Sequence, residues 1–405
     1  MEKKRVTHTL KSSRLRSELP AFASTLDEIR IAVERNAIRR GVFLINSLQA
    51  LDINNLLRRV AELSSTYDKE EWIDQAENWS INPAALDILD NDNKESIPYP
   101  IFFCSPSDIV CTPQLLSYYR NLAMLSNKAM RDIELSTEKY ELGLQTINFE
   151  HALVLVQYLN STISNILLAR NTITPHLAIE MLYTNIGDSL GGAWRNEIGR
   201  IAYVEVLSPL IVHLYQLDRL AYVKYTTKGQ LTHIENETLS RKRLRSQMLD
   251  ISQINSSESL QHVLNELHIN RVKYQEIGLR NGNRLCVDRQ VTWTLPSGKK
   301  TKFGPDLLAE DTQFSYPWAA ELKGGADPAG SDEHWKTAVS AFDRILLACE
   351  QMKKTPPRLT FMATIIVDRV AVEAATRILE GKLSAVYNLT QIAEVTSFRN
   401  NFLMT

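Results

Sequence analysis

Apolar residues recur at helical spacing from about Ser24 to Val60, first as Leu26, Ile29, Val33 and Ala37, then as Leu44, Leu48, Leu51 and Leu56. A polar, turn-rich passage from Asp90 to Tyr99 marks a loop or boundary, and Thr112 to Leu182 returns to helices, most strongly over His151 to Leu168. A further helix is predicted from about Leu190 to Leu207, ending before Pro209, with Ile198, Ile201, Ala202 and Val206 as its apolar stripe. Ser252 to His268 is helical again. The period then changes. Gln290 to Leu295 alternates polar and apolar residues, Pro296-Ser297-Gly298 signals a turn, and Lys299 to Leu308 resumes in extended form, so a hairpin is predicted. After a loop through Glu310 to Pro317, a third strand, Trp318 to Lys323, is expected to run beside the arm that carries Asp306. Gly324-Gly325 ends it, and an amphipathic helix follows over roughly Asp332 to Lys353, burying Trp335, Val339, Phe342, Leu346 and Cys349. Arg358 to Val367 is the best buried strand in the chain. This order divides the protein into a mainly helical region, residues 1–180, and an α/β region of mixed sheet and flanking helices, residues 181–405.

A chain of 405 residues with 44% hydrophobic and 23% charged residues buries at least one large core, which excludes a disordered protein. The formal net charge of −1 gives no global basic signature, so any nucleic-acid partner must be engaged by a local basic cleft. Cys104, Cys111, Cys286 and Cys349 are too dispersed for a zinc site and read as free thiols, mostly buried. His151, His176, His213 and His334 lack the spacing of a metal cluster and read as core or surface histidines. No leading apolar segment resembles a signal peptide and no apolar run approaches the length of a membrane span, so a cytoplasmic protein without a membrane partner is expected.

The candidate chemistry lies in the α/β region. Asp306, in Gly304-Pro305-Asp306, is followed after fourteen residues by Glu321-Leu322-Lys323. In a strand the side chains of Glu321 and Lys323 share one face while Leu322 takes the other. Two carboxylates and an amine at one place are what phosphodiester hydrolysis needs. The phosphate repels hydroxide, so cations must neutralise it and generate the nucleophile near neutral pH. Mg2+ prefers hard oxygen ligands and keeps several waters, so two acidic side chains plus the phosphate suffice to hold it. A lysine beside the attacking water adds fixed positive charge.

The order of hairpin, Glu-x-Lys strand, helix and buried strand resembles the PD-(D/E)xK nuclease superfamily, which includes most type II restriction endonucleases. The segment from Lys323 to Lys336 (Lys-Gly-Gly-Ala-Asp-Pro-Ala-Gly-Ser-Asp-Glu-His-Trp-Lys) is similar to the stretch after the lysine in some of these enzymes, with the XcyI-like group closest. The resemblance implies Asp306 and Glu321 as Mg2+ ligands and Lys323 as the group that positions water. It also implies a homodimer cutting both strands of double-stranded DNA at a short palindromic site, alongside a cognate DNA methyltransferase of matching specificity. Many such enzymes carry a further acidic residue on an upstream helix. Glu197, in Gly191-Gly192-Ala193-Trp194-Arg195-Asn196-Glu197-Ile198-Gly199-Arg200, is the candidate, with Glu205 nearby as the alternative; a solvated glutamate paired with Arg200 or Arg195 explains Glu197 as well.

Three basic clusters are candidate DNA contacts. Arg241, Lys242, Arg243 and Arg245 place four cations in five positions, though a solvated helix face accounts for them equally. Lys299, Lys300 and Lys302 lie on the hairpin close to Asp306, where backbone contact is expected. The first 20 residues, with Lys3, Lys4, Arg5, Lys11, Arg14 and Arg16, form a basic arm or a frayed terminus. The helical region would serve recognition or dimerisation. Two other functions fit the same residues: a repair or recombination nuclease of this fold, and a non-catalytic DNA-binding or scaffolding protein.

Overall fold

The described part of the computed structural model comprises residues 19–90, 96–170, 173–227 and 245–402, and among them the C-terminal half contains ten strands. These are β1 (Leu220–Thr227), β2 (Arg245–Asp250), β3 (Lys273–Leu279), β4 (Arg284–Val287), β5 (Val291–Thr294), β6 (Lys300–Phe303), β7 (Leu307–Glu310), β8 (Trp318–Lys323), β9 (Arg358–Ala363) and β10 (Ala385–Asn388). Eight form one sheet in the order β10-β9-β8-β7-β4-β3-β1-β2, while β5 and β6 pair only with each other. β9 runs parallel to both β8 and β10, and the other pairings are antiparallel. The fold is thus a mixed α/β sheet flanked by helices, as expected.

β8 shows why it sits centrally. Trp318 to Leu322 are all buried, because the two sides of the strand face two separate cores. Trp318, Ala320 and Leu322 join a cluster with Ala202, Val206, Leu207, Leu210, Ile211 and Leu214 of the helix Pro175–Gln216. Ala319 joins a second cluster with Trp335, Ala338, Phe342 and Ile345 of the helix Pro328–Met352. A strand covered on both faces loses its polar alternation.

Four local expectations change. The second hairpin arm is not one strand through Leu308: it breaks at Gly304-Pro305 into β6, which completes the hairpin, and β7, which enters the main sheet. Pro305 has no N–H to donate to a ladder, which favours the break there. The helix expected to stop before Pro209 runs from Pro175 to Gln216 with Pro209 inside. Burial of Leu207, Leu210, Ile211 and Leu214 outweighs the roughly 3 kcal/mol that an interior proline costs. The same helix is long and apolar enough to cross a membrane by length and composition, contrary to the reading that no run approaches that length, but its C-terminal half is packed on the protein's own sheet. The helical stretch over 24–60 is divided into Leu26–Ala50 and Ile53–Thr66 by Asp52, which takes a left-handed φ of 46°.

The chain forms two units, one of Arg40–Arg195 and one that combines the segment up to Arg39 with Asn196–Thr405. This differs from a division at residue 180. Ser24 explains the early segment's place: its N–H donates to the Ile366 carbonyl at 2.8 Å, and its Oγ accepts from Ile366 N at 3.0 Å and from Asn388 Nδ2 at 2.9 Å. The Arg40–Arg195 unit is helical. Its helix Phe149–Leu168 buries Ala152, Leu155, Val156, Leu159, Ile163 and Leu167, and the fully buried Asn160 bonds Cys104 N at 3.0 Å, Cys104 O at 2.9 Å and Trp79 O at 3.2 Å. The four cysteines are free, and Cys111 alone among them is exposed.

Candidate active site

The antiparallel register of β7 and β8 pairs Leu307 with Ala320, so Asp306, one position earlier, stands opposite Glu321. Asp306 Oδ2 accepts a hydrogen bond from the backbone N–H of Leu322 at 2.7 Å and one from Lys323 Nζ at 3.1 Å. Lys323 Nζ also donates to Glu321 Oε2 at 2.7 Å. The three groups brought together by sequence spacing are therefore brought together in space. Glu321 is buried, with 5% of its surface exposed. Burial first, and then the charge of Asp306, push its carboxyl up to about 7 against the opposing pull of Lys323. Burial works against the Lys323 ammonium, but Asp306 and Glu321 outweigh it and hold it protonated more firmly than usual.

This donor set suits a hard divalent cation. Two carboxylates crowd one position, and one of them is driven toward neutrality by burial and by the other's charge, a strain that a bound cation relieves. No group of three acidic, histidine or cysteine side chains with metal-ligand geometry occurs among the described residues. A cation here would thus rest on Asp306 and Glu321, with the remaining positions left to water and phosphate.

Two residues absent from the sequence reading touch the site. Tyr203, on the helix Pro175–Gln216, lies with its hydroxyl 3.1 Å from Asp306 Oδ1 and closer still to Asp288 Oδ1. Asp288 has its other oxygen 2.7 Å from Lys273 Nζ, and its N–H donates to the Asp306 carbonyl at 2.9 Å. Burial, then the charges of Asp306 and Asp288, raise the tyrosine far above its ordinary pKa, so it stays a hydroxyl donor. The expected upstream helix does reach the site, and Tyr203 is the side chain on it that meets Asp306. Glu197 has both oxygens on the Arg200 guanidinium, at 2.6 and 3.1 Å; burial opposes its ionisation, but Arg200 wins and lowers its pKa. Ligation by Glu197 would require that ion pair to open. Glu205 pairs with Arg39 at 2.8 Å.

His334 is exposed at the surface, yet partial desolvation followed by the charge of Lys323 lowers its pKa. It therefore sits within the field of the site, which its lone position in the sequence did not reveal. Glu310 is almost fully buried, but Arg284 Nε at 2.7 Å and Arg289 Nη1 both engage Oε2, which makes it a structural ion pair.

Lys299, Lys300 and Lys302 are exposed on the β5–β6 hairpin, and none forms an ion pair among the described residues. Arg241, Lys242 and Arg243 lie outside the described residues, as do the basic residues of the first 18 positions; Arg245 begins β2, and its side chain is likewise outside them.

The mixed sheet and the Asp306–Glu321–Lys323 cluster resemble a core of the PD-(D/E)xK restriction-endonuclease type. Residues 290–405 match the family model for restriction endonuclease BsobI. The chain is 28% identical to the type II restriction enzyme AvaI of Nostoc sp. and of Anabaena variabilis over 211 residues, 52% of this chain and 60% of each relative. It is 40% identical to the type II restriction enzyme BsoBI of Geobacillus stearothermophilus over 82 residues, 20% of this chain and 25% of that protein. The matched stretch thus spans less than two thirds of each of these relatives. Their names are AvaI and BsoBI, whereas the sequence pointed to the XcyI-like group.

Proposed function

We propose that this protein is a type II site-specific deoxyribonuclease that hydrolyses both strands of double-stranded DNA in the cytoplasm. The observation that carries the proposal is the convergence of Asp306, Glu321 and Lys323 within direct hydrogen-bond reach, in a segment that resembles restriction enzymes. Asp306 and Glu321 would hold Mg2+. When bound, that ion neutralises the scissile phosphate and acidifies water so that hydroxide is available near neutral pH. Lys323 orients the attacking water and offsets the charge that grows on the phosphate oxygens. The Leu322 N–H fixes Oδ2 of Asp306, and the Tyr203 hydroxyl, shared with Asp288, lies against Oδ1. Attack proceeds in line, and the 3′ oxygen departs taking a proton from water. A homodimer with a two-fold axis would place one such site on each strand of a palindrome, and a methyltransferase of the same specificity would protect the host's own sites. Lys299, Lys300 and Lys302 place positive charge beside the duplex.

Incubation of the protein with a long unmethylated duplex tests this directly. Discrete fragments form with Mg2+ and none form in EDTA. A smear points instead to a nuclease without sequence choice, and uncut DNA across several unrelated duplexes removes the proposal.

Tyr203→Phe keeps the ring and deletes the hydroxyl that lies between Asp288 and Asp306. A hydrogen bond to a charged group contributes about 1.5–3 kcal/mol, so single-turnover cleavage should slow by roughly 10- to 100-fold. The Mg2+ concentration for half-maximal rate should rise while duplex affinity stays the same. An unchanged rate and Mg2+ dependence would show that Asp306 does not depend on Tyr203.

A further inference from the structure

We propose that the β5–β6 ribbon enters the major groove and reads base edges, with Thr292, Thr294, Lys300 and Lys302 as the reading side chains. This rests on the DNA-cutting function proposed above and assigns part of its sequence choice.

The ribbon has two unlike faces. Thr292 pairs across the strands with Lys302, and Thr294 with Lys300, and all four are exposed. Val291 pairs with Phe303, and both are buried in the core cluster that contains Trp335 and Phe342. Trp293 packs edge-on against Phe303 with ring centroids 4.3 Å apart, and Tyr316 lies 6.3 Å from Trp293 and 6.5 Å from Phe303. The aromatic side clamps the ribbon to the body of the protein and leaves a rigid polar patch of two threonines and two lysines. Residues 289–303 contain no Asp or Glu, and Lys299 at the turn adds a third cation. This charge fits a polyanion.

Dimensions select the groove. A two-stranded ribbon fits the major groove, about 12 Å wide, and not the minor groove, about 6 Å wide. Alternate residues on one strand lie about 6.8 Å apart, close to two base steps of about 3.4 Å, so Lys300 and Lys302 can address separate base pairs. A lysine donates to the O6 and N7 acceptors of guanine, and a threonine offers a hydroxyl to any base edge or a methyl to thymine. The ribbon is also tied to the chemistry. Lys302 precedes Asp306 by four positions, a backbone span of at most about 14 Å, so the base pair it reads lies close to the cut.

The test is selection of binding sites from a randomised duplex, with Ca2+ in place of Mg2+, by wild-type protein, Lys302→Gln and Lys300→Gln, each checked for an unchanged thermal midpoint. Glutamine pairs with adenine, so each variant should lose about tenfold in its preference for guanine at one position, with its two-fold mate, and gain adenine there. Uniform weakening of all sequences, with the salt slope reduced by about one, would make these lysines phosphate contacts only and overturn the inference. An unaltered preference would overturn it equally. If the wild-type protein cuts with Mg2+ but selects no sequence, the ribbon inference falls while nuclease activity stands. If it neither cuts nor binds, the proposed function itself falls.

Discussion

Asp306→Ala is expected to lower duplex cleavage by roughly a thousandfold or more, because in the proposed mechanism it removes a metal ligand, worth several kcal/mol of transition-state stabilisation, and each 1.36 kcal/mol is tenfold in rate. Glu321→Ala should do the same. Neither change should unfold the protein. Removing Asp306 deletes an acceptor for Leu322 N and Lys323 Nζ, but it also removes the like charge beside Glu321, and Lys323 keeps its 2.7 Å contact with Glu321. The two effects oppose, so the thermal midpoint should move by no more than about 4 °C. Duplex binding in the presence of Ca2+ or EDTA should persist. Single-turnover cleavage of a defined duplex, with thermal unfolding of the same sample, separates these outcomes. Cleavage at a near wild-type rate by either variant would remove that residue from the site.

Gly324→Ala should produce the second largest loss, for a steric reason. Gly324 follows Lys323 directly, and a Cβ built there would lie 2.7 Å from the Ile198 carbonyl oxygen and 2.8 Å from Ala202 Cβ. Both distances are shorter than carbon contacts allow, and one partner is the backbone of the helix that also carries Tyr203. The end of β8 must therefore move away from that helix. Displacement of about 1 Å at a catalytic group costs on the order of 100-fold in rate, and overpacking costs about 1–3 kcal/mol of stability. Cleavage should fall by about that factor, with a lower thermal midpoint and little change in duplex affinity. Gly325→Ala is the contrasting case. Its φ of +106° disfavours a side chain, yet nothing lies within 4 Å of the added carbon. It should therefore lose stability, about 1–3 kcal/mol, with a smaller effect on rate. Equal rates for wild type and Gly324→Ala would show that the strand end and the helix tolerate separation.

Legibility differed from residue to residue. The strand Trp318–Lys323 was read correctly to the residue, because Gly-Gly punctuates its end and Glu321 and Lys323 sit two apart. The helix after it was placed within a few residues by its stripe of Trp335, Phe342 and Cys349. The break at Gly304-Pro305 was missed because both halves of the arm are extended, and extension alone does not say which partner a strand pairs with. Pro209 misled because its penalty is local and visible, whereas the burial of Leu210, Ile211 and Leu214 depends on a sheet formed by later residues. Tyr203 and Asp288 left no signal, since 103 positions separate Tyr203 from Asp306. For Glu197 the pairing with Arg200 was anticipated as one of two options, because three positions on a helix bring side chains together whatever the fold.

From its residue order alone this protein determined the identity and spacing of the two carboxylates and the lysine, the face of β8 that Glu321 and Lys323 share, and the elements on either side. Those features depend on periods of two and of 3.6 residues, which act over a few positions. Tertiary structure alone decided that β7 lies antiparallel beside β8 so that Asp306 meets Glu321, that Tyr203 closes on Asp306, that burial shifts the Glu321 carboxyl, and that β5 and β6 stand apart from the main sheet as a ribbon with an exposed polar face. Each of these depends on which buried surfaces pack together across a hundred or more residues or on strand pairing that short-range pattern leaves open.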